Sequence, residues 1–348
     1  MKTLALALFT TTLCGILAGQ EAKPPEPVLV HIGSLTLRPS GFVEGIGMSR
    51  SEVSADSVAT KFGKIPLDDT PGETIGSARH SRVMLKANLP VGRVKFSAYM
   101  ESDFMNFTPD QSPYRWRQYW GQAAIGKWEI LGGQTYSLLR SGRAGIPLDK
   151  DAMNTDVIDP AYNVGLLGPR VRQVRIARNL GAYKAAVAWE NDGNLLSKIA
   201  RDSHGLHLEA AGLAGRFGRK GVMAAGVVSV TPRLRVVTQQ YWSDRAIYQA
   251  LGVMPAGVNG YSTLNGVEVQ ARKSLELFGY GGVVYASRSA GNRAVQQWTG
   301  GWNYKLPTPA LLGSMLFSFQ YSHVDRDLWS GKTGQMDFVM YRMRYAFN

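Results

Sequence analysis

SRVMLKANLPVGRVKFSAYMESDF, residues 81–104, alternates in polarity with a period of two. Val83, Leu85, Ala87 and Leu89 fall on one side, and Arg82, Met84, Lys86 and Asn88 on the other. After Pro90–Gly92 the pattern resumes, with Val94, Phe96, Ala98 and Met100 set against Lys95, Ser97, Tyr99, Glu101 and Asp103. Successive side chains of a strand point to opposite faces, so these residues predict a β-hairpin with one apolar and one largely charged face.

The same pattern recurs along most of the chain. Tyr183, Ala185, Val187 and Trp189 oppose Lys184 and Glu190; Leu206, Leu208 and Ala210 oppose His207 and Glu209; Val267, Val269 and Ala271 oppose Glu268, Gln270 and Arg272. Met315, Phe317, Phe319 and Tyr321 oppose Ser314, Ser318 and Gln320, and the final segment sets Val339, Tyr341, Met343, Tyr345 and Phe347 against Met340, Arg342, Arg344 and Ala346. In a soluble sandwich the charged face would be the solvated outside. Against that reading, the apolar face carries Trp189, Trp302, Tyr304 and Tyr345 near strand ends, where membrane-interface belts need them. In residues 115–125 the alternation is imperfect: a polar side of Arg115, Arg117 and Tyr119 leaves Gln118 on the apolar side.

Connection lengths give an independent signal. Short connections are predicted at 90–92, 126–127, 179–181, 216–220, 273–274 and 306–309, and long ones at 50–76, 105–113, 138–169, 191–203, 232–260 and 325–334. Tight turns at one end and long loops at the other are the asymmetry of an outer-membrane barrel. About fourteen strands can be counted in this way, with a further hairpin possible around Arg233–Trp242.

Composition agrees. Beyond the N-terminus no run is long and apolar enough for a membrane helix, while 39 Gly, 15 Tyr and 8 Trp suit an aromatic-girdled barrel. Met1-Lys2-Thr3, apolar Leu4–Leu17, then Ala18 and Gly19 read as a secretory signal peptide over residues 1–19, with cleavage after Ala18, Gly19 or Ala22 left open. A short segment 20–34 would follow, then a barrel over 35–348. Cys14 lies in that leader, so neither disulfides nor thiolate metal sites are available to the barrel. A net charge of +13 suits an anion pathway or a lipopolysaccharide surface; nucleic acid is disfavoured because the arginines are spread through the strands.

The opening strand Ser40–Gly45, the hairpin quoted above and the segment RWRQYWGQAAIGKWEILGGQTYSLL resemble the DcaP-like group of trimeric outer-membrane porins. The most specific piece is Gly132-Gly133-Gln134-Thr135-Tyr136-Ser137, which matches the family's Gly-Gln-Thr-aromatic-Ser run before the loop that folds into the pore. The resemblance implies a closed antiparallel barrel of about sixteen strands, a homotrimer, and selectivity for anionic solutes such as dicarboxylates. This chain departs from the family in ending Phe347-Asn348, with the aromatic penultimate, and in having no heptad-like segment before the barrel.

A diffusion pore needs an aqueous lumen and charges placed at its narrow part, not a catalytic group or a cofactor. The candidate pore-lining bases are Arg82, Lys86, Lys95, Arg115, Arg117, Arg175, Lys184, Arg272, Arg342 and Arg344. The segment Leu138–Pro169 is expected to form the constriction, bringing Arg140, Arg143, Asp149, Lys150, Asp151, Asp156 and Asp159. Arg82, Arg115, Arg117 and Arg175 are expected to face that loop across water. Inner-face acids Glu101, Asp103, Glu190, Glu209 and Glu268 would neutralise part of this charge. The rival readings are a plugged structural or adhesion barrel, and a barrel hydrolase using Ser203-His204 or Ser322-His323, for which no third member is visible. His31, His80, His204, His207 and His323 are scattered without metal-site spacing. The expected protein is therefore an outer-membrane pore for small anionic hydrophilic solutes, in contact with outer-membrane lipid and lipopolysaccharide.

Overall fold

A computed structural model describes residues 28–106, 113–146, 155–191, 193–251, 257–287, 291–306 and 313–347; the expected signal peptide and Asp149, Lys150 and Asp151 lie outside them. Short β1 (Val30–Ile32) folds back on the start of β2 (Leu35–Arg50). β3 (Glu73–Ser77) and β4 (Arg82–Val91) share one wall position, pairing with the far and near halves of β2 respectively. The wall continues through β5 (Val94–Asp103), β6 (Arg115–Ile125), β7 (Trp128–Tyr136), β8 (Arg170–Leu180), β9 (Tyr183–Glu190), β10 (Asn194–Ser203) and β11 (Leu206–Gly215). It is completed by β12 (Lys220–Thr231), β13 (Leu234–Asp244), β14 (Gly260–Arg272), β15 (Leu275–Ala286), β16 (Asn292–Leu306), β17 (Gly313–Leu328) and β18 (Thr333–Phe347). β18 pairs with β2 from Phe338↔Arg50 to Phe347↔Gly41, so the antiparallel sheet closes into a barrel of sixteen wall positions with no free edge.

The two strands beyond the fourteen counted by alternation are β10 and β13, which occupy the expected long connections 191–203 and 232–260. Both break the apolar-out, polar-in rule for a physical reason. The inner face of β10 carries Leu196 and Ala200, fully buried under an infolded loop, and the outer face of β13 carries Thr238 and Gln240. The short connection at 216–219 joins β11 to β12 at the same rim as the long loops, so that rim is not uniformly long. The opposite rim is made of tight turns, including Gly126-Lys127, Gly181-Ala182, His204-Gly205 and Lys273-Ser274.

Outward residues form an apolar belt: Val83, Phe96, Ile130, Val174, Val187, Ile199 and Val222 are all exposed, with Trp128, Trp189, Trp302 and Tyr345 nearer its edges. Exposure of such a surface costs about 25 cal/mol per Å² in water, and a bilayer removes that cost. Val187 lies midway along β9, so Val187→Arg should cost about 2–4 kcal/mol of folding free energy into vesicles, while Lys95→Gln on the inner face stays near neutral. Urea titration of vesicle-inserted protein checks this, and equal costs for the two variants would contradict the inside-outside assignment.

The interior is partly filled. Leu138, Leu139, Ile146, Ile158, Val164 and Leu167 pack against small and apolar inner-wall residues that include Ala177, Ala186, Ala188, Leu196, Ala211, Leu213 and Met223. Val58, Phe62 and Ile65, from the connection between β2 and β3, join the same cluster beside Met48, Val324, Phe338 and Met340. Two loops therefore enter the lumen, where the sequence suggested one.

Candidate functional site

The connection between β7 and β8 leaves and returns through one neck, closed by the Ser137 N–H donating to the Pro169 carbonyl at 2.9 Å. A loop inside a barrel must satisfy its backbone polar groups, and inward Gln, Ser and Glu side chains do so here. Val164 N–H donates to Gln297 at 2.9 Å, Gly142 N–H to Glu209 at 2.9 Å, and Ile158 N–H to Gln320 at 2.5 Å. The Gly165 carbonyl accepts from Gln239 and from Ser262, both at 2.8 Å. The Arg143 guanidinium forks onto Glu268 at 2.7 and 2.6 Å and reaches Asp156 at 3.5 Å. These contacts draw the loop toward β10–β17.

Opposite the loop a cavity of about 400 Å³ remains. One side is basic: Arg82 from β4, Arg115 and Arg117 from β6, Arg170 from β8, and Arg342 and Arg344 from β18. Loop residues 155–160 and Tyr162 form the facing side, Lys273 and Lys305 add further positive charge, and Glu44, Glu276, Asp156 and Asp159 are the acids in the lining.

The wall arginines are held rigidly. Arg115 forks onto Asp103 at 2.9 and 2.7 Å, Arg117 bonds Glu101 and meets Asp103 at 2.7 Å, and Arg82 lies 3.6 Å from Glu101. Arg344 bonds Glu44 at 2.5 Å while Arg342 is 3.8 Å from the same carboxylate. Among these, Arg115 and Arg344 keep 38% and 26% of their side chains exposed, against 5% for Arg117, so the first two present the most accessible charge. Arg170 pairs with no carboxylate among the described residues and lies 6.0 Å over the Tyr136 ring.

The Gly-Gly-Gln-Thr run has an identifiable physical role. Between β5 and β6 the register slips at Glu101/Ser102, so Arg117 and Gln118 both turn inward and Tyr119 turns outward, reversing the expected sides of Gln118 and Tyr119. A β-bulge leaves a carbonyl without its ladder partner, and Gln134 supplies one, donating to the Arg117 carbonyl at 3.0 Å. Thr135 donates to the Gln118 side chain at 2.8 Å. Gly133, at φ +135°, lies so close to the Tyr119–Trp120 backbone that a Cβ would come within 2.4 Å of a carbonyl oxygen. The motif thus buttresses the bulge that aims Arg117.

The structure separates the predicted residues into groups. Arg82, Arg115, Arg117, Arg342 and Arg344 come together around the cavity. Arg175 does not: it points inward but is covered by the loop, with only 3% exposed, donating to the Tyr136 carbonyl at 2.7 Å and to Gln173 at 2.9 Å. Arg140 is likewise buried, between the rings of Tyr136 and Tyr162 at 4.9 and 4.8 Å, and donates to the Leu167 carbonyl at 3.2 Å. Arg143 fastens the loop to Glu268. Lys86 faces inward at the middle of β4 and Lys95 near the tight-turn end of β5, both outside the cavity lining. Arg170, Lys273, Lys305 and Glu44 were missed. Arg170 sits at a strand end, where alternation no longer tells inside from outside.

Two loop carboxyls are pushed upward. Burial raises Asp159 to about 6 against hydrogen bonds from Thr60 and the Ala161 N–H. Burial, and next the neighbouring Glu268 carboxylate, raise Asp156 to about 8, with Arg143 pulling the other way. A raised carboxyl is neutral below its shifted value and gains its charge as pH rises through it. Ionisation of Asp156 as pH rises through about 8 adds negative charge beside the basic wall, so whatever preference the cavity has for anions should fall there. Reversal potentials on either side of that value check this, and Asp156→Asn should flatten the response.

The hydrolase candidates are not assembled. Ser322 faces inward and bonds Thr299 at 2.8 Å, whereas His323 faces outward onto Asp337 at 2.9 Å and Asp325 at 3.1 Å. Adjacent strand residues lie on opposite sides of the wall and cannot act as a nucleophile-base pair. Ser203 ends β10 and His204 lies in the tight turn that follows it.

No protein-family model matches the chain, and no curated protein matches it. Solved structures do. The outer membrane channel DcaP of Acinetobacter baumannii is 20% identical over 90% of this chain and 98% of that chain, with a TM-score of 0.75. An anion-selective porin from Comamonas acidovorans is 12% identical over 90% of this chain and all of its own, with a TM-score of 0.62. OmpT, an outer membrane protein of Vibrio cholerae, is 10% identical over 92% and 99% of the two chains, with a TM-score of 0.62. The likeness to DcaP suggested by the Gly-Gln-Thr run is thus met in the fold, a closed sixteen-position barrel shared with outer-membrane channels.

Proposed function

We propose that this chain is exported to the bacterial outer membrane by residues 1–19 and works there as a porin, passing small hydrophilic solutes with a preference for anions. The observation that carries this reading is the basic wall of Arg82, Arg115, Arg117, Arg170, Arg342 and Arg344 facing the infolded loop across a cavity. The bases there outnumber the acids even after Glu101 and Asp103 are set against their partners. Low-dielectric walls concentrate that field, and guanidinium groups keep their charge at any working pH. DcaP is a channel and the Comamonas protein an anion-selective porin, which accords with the reading. Planar-bilayer recording of the purified protein under a potassium chloride gradient tests it, with a reversal potential of anion sign expected.

A homotrimer fits the outer wall. Ala87, Ala98, Gly121 and Gly132 are register neighbours across β4–β7, a low wall that another barrel can approach closely, and a trimer form of OmpT has been solved. A second reading rests on the two infolded loops and their apolar core, which suit a plugged structural barrel. The absence of any conductance would favour it.

A further inference from the structure

The outer wall of β8–β12 carries a feature that the pore does not use. An open groove of about 750 Å³ runs over the wall between Trp128 and Val222, floored by outward Ile176, Ala185, Ser197, Ile199, Ala210 and Gly212. At its tight-turn end two arginines point outward. Arg178 lies 4.8 Å over the Trp128 ring and Arg201 lies 5.7 Å over the Tyr183 ring. Both are exposed, and among the described residues neither pairs with a carboxylate. Their sides are certain from the ladder: Lys184, next to Tyr183, turns inward to Glu129, and Asp202, next to Arg201, turns inward to His207.

A cation on a lipid-facing wall is costly unless an anion meets it at the interface. Among its described residues a second copy of this chain offers none at that level. The outward carboxylates among the described residues, Asp244, Asp325, Asp327 and Asp337, all lie toward the long-loop ends of their strands. β8 and β10 are separated by one strand and the two arginines are offset by two residues along it, so their roots are about 12 Å apart, a span two long side chains can close around one phosphate. From that phosphate the apolar groove leads away into the belt.

We propose that this face binds a glycerophospholipid of the leaflet at the tight-turn rim, with its phosphate between Arg178 and Arg201 and an acyl chain in the groove. The site rests on the outer-membrane reading but not on pore conduction. Native mass spectrometry of the intact detergent-purified protein, titrated with dioleoylphosphatidylglycerol, tests it. The R178S/R201S double variant should need roughly thirtyfold more lipid for half-retention, while keeping the wild-type oligomer and conductance. Dioleoylglycerol, which lacks the phosphate, should not be retained, and inorganic phosphate should not displace the phospholipid. Equal retention by the double variant, equal retention of the diacylglycerol, or full displacement by inorganic phosphate would each overturn the site. So would a wild type without retained lipid whose oligomer falls apart in the double variant, which would assign the face to a second copy. Lipid retention by a wild-type protein that carries no current would uphold the lipid site and remove the porin reading.

Discussion

Replacing Arg115, Arg170 and Arg344 together with glutamine is expected to abolish anion preference, lowering the anion-to-cation permeability ratio about tenfold at low ionic strength. These three are chosen because they reach the cavity with charge to spare. Arg115 and Arg344 are partly exposed, and Arg170 meets no carboxylate among the described residues. Their loss also leaves Glu44 and Asp103 with weaker neutralisation, and with Asp156 neutral below about 8 the residual charge around the cavity is close to balanced. The effect should shrink as salt is raised, because lumen charges in contact with water are screened within a Debye length of about 10 Å at 0.1 M. Arg117 is left in place, since it is buried against Glu101 and Asp103 and its removal would strand two buried carboxylates. Reversal potentials at two salt concentrations provide the measurement, and unchanged selectivity with intact conductance would show that these bases do not border the narrow part of the pore.

Loosening the loop should have the second large effect, this time on conductance. Glu268 is almost fully buried and is gripped from two sides, by Arg143 of the loop at 2.6 Å and by Arg235 of β13 at 2.9 Å. Removing the shared carboxylate leaves two cations facing each other, with only the longer contacts to Asp156 at 3.5 Å and Glu276 at 3.4 Å to offset them. Breaking a buried pair in this way costs about 3–5 kcal/mol, which the partial exposure of both arginines reduces to about 2 kcal/mol. Glu268→Gln is therefore expected to release Arg143 of the loop from the wall, raising single-channel conductance and its flicker. The hydrogen bonds from Gln239 and Ser262 to the loop, and from the Val164 N–H to Gln297, should keep the rest of the loop seated. Recordings in planar bilayers decide it: a quiet channel of wild-type size would mean that Arg143 is not what latches the loop.

The strand-level part of this protein was legible because alternation is a local property: each inward or outward position is specified by its neighbours two residues away. The hairpin of residues 81–104, the aromatic edges and the closing strand 333–347 follow from it directly. Alternation failed where another part of the chain altered what a face touches. β10 does not read as a strand of the barrel because its inner face carries Leu196 and Ala200, and that face is apolar because Leu138, Leu139 and their neighbours cover it. The pore-lining arginines divided for the same reason: Arg175 and Arg117 both point inward, yet one ended beneath the loop and the other beside the cavity. The bulge that turns Arg117 and Gln118 to the same side was visible only as a break in pattern, although the Gly-Gln-Thr run that supports it stood plainly in the sequence. The sequence by itself determined that this chain forms a barrel and which side of each regular strand faces inward. Only the tertiary structure decided which inward charges meet the cavity, because that depends on where two long loops come to rest, through contacts between residues more than a hundred positions apart.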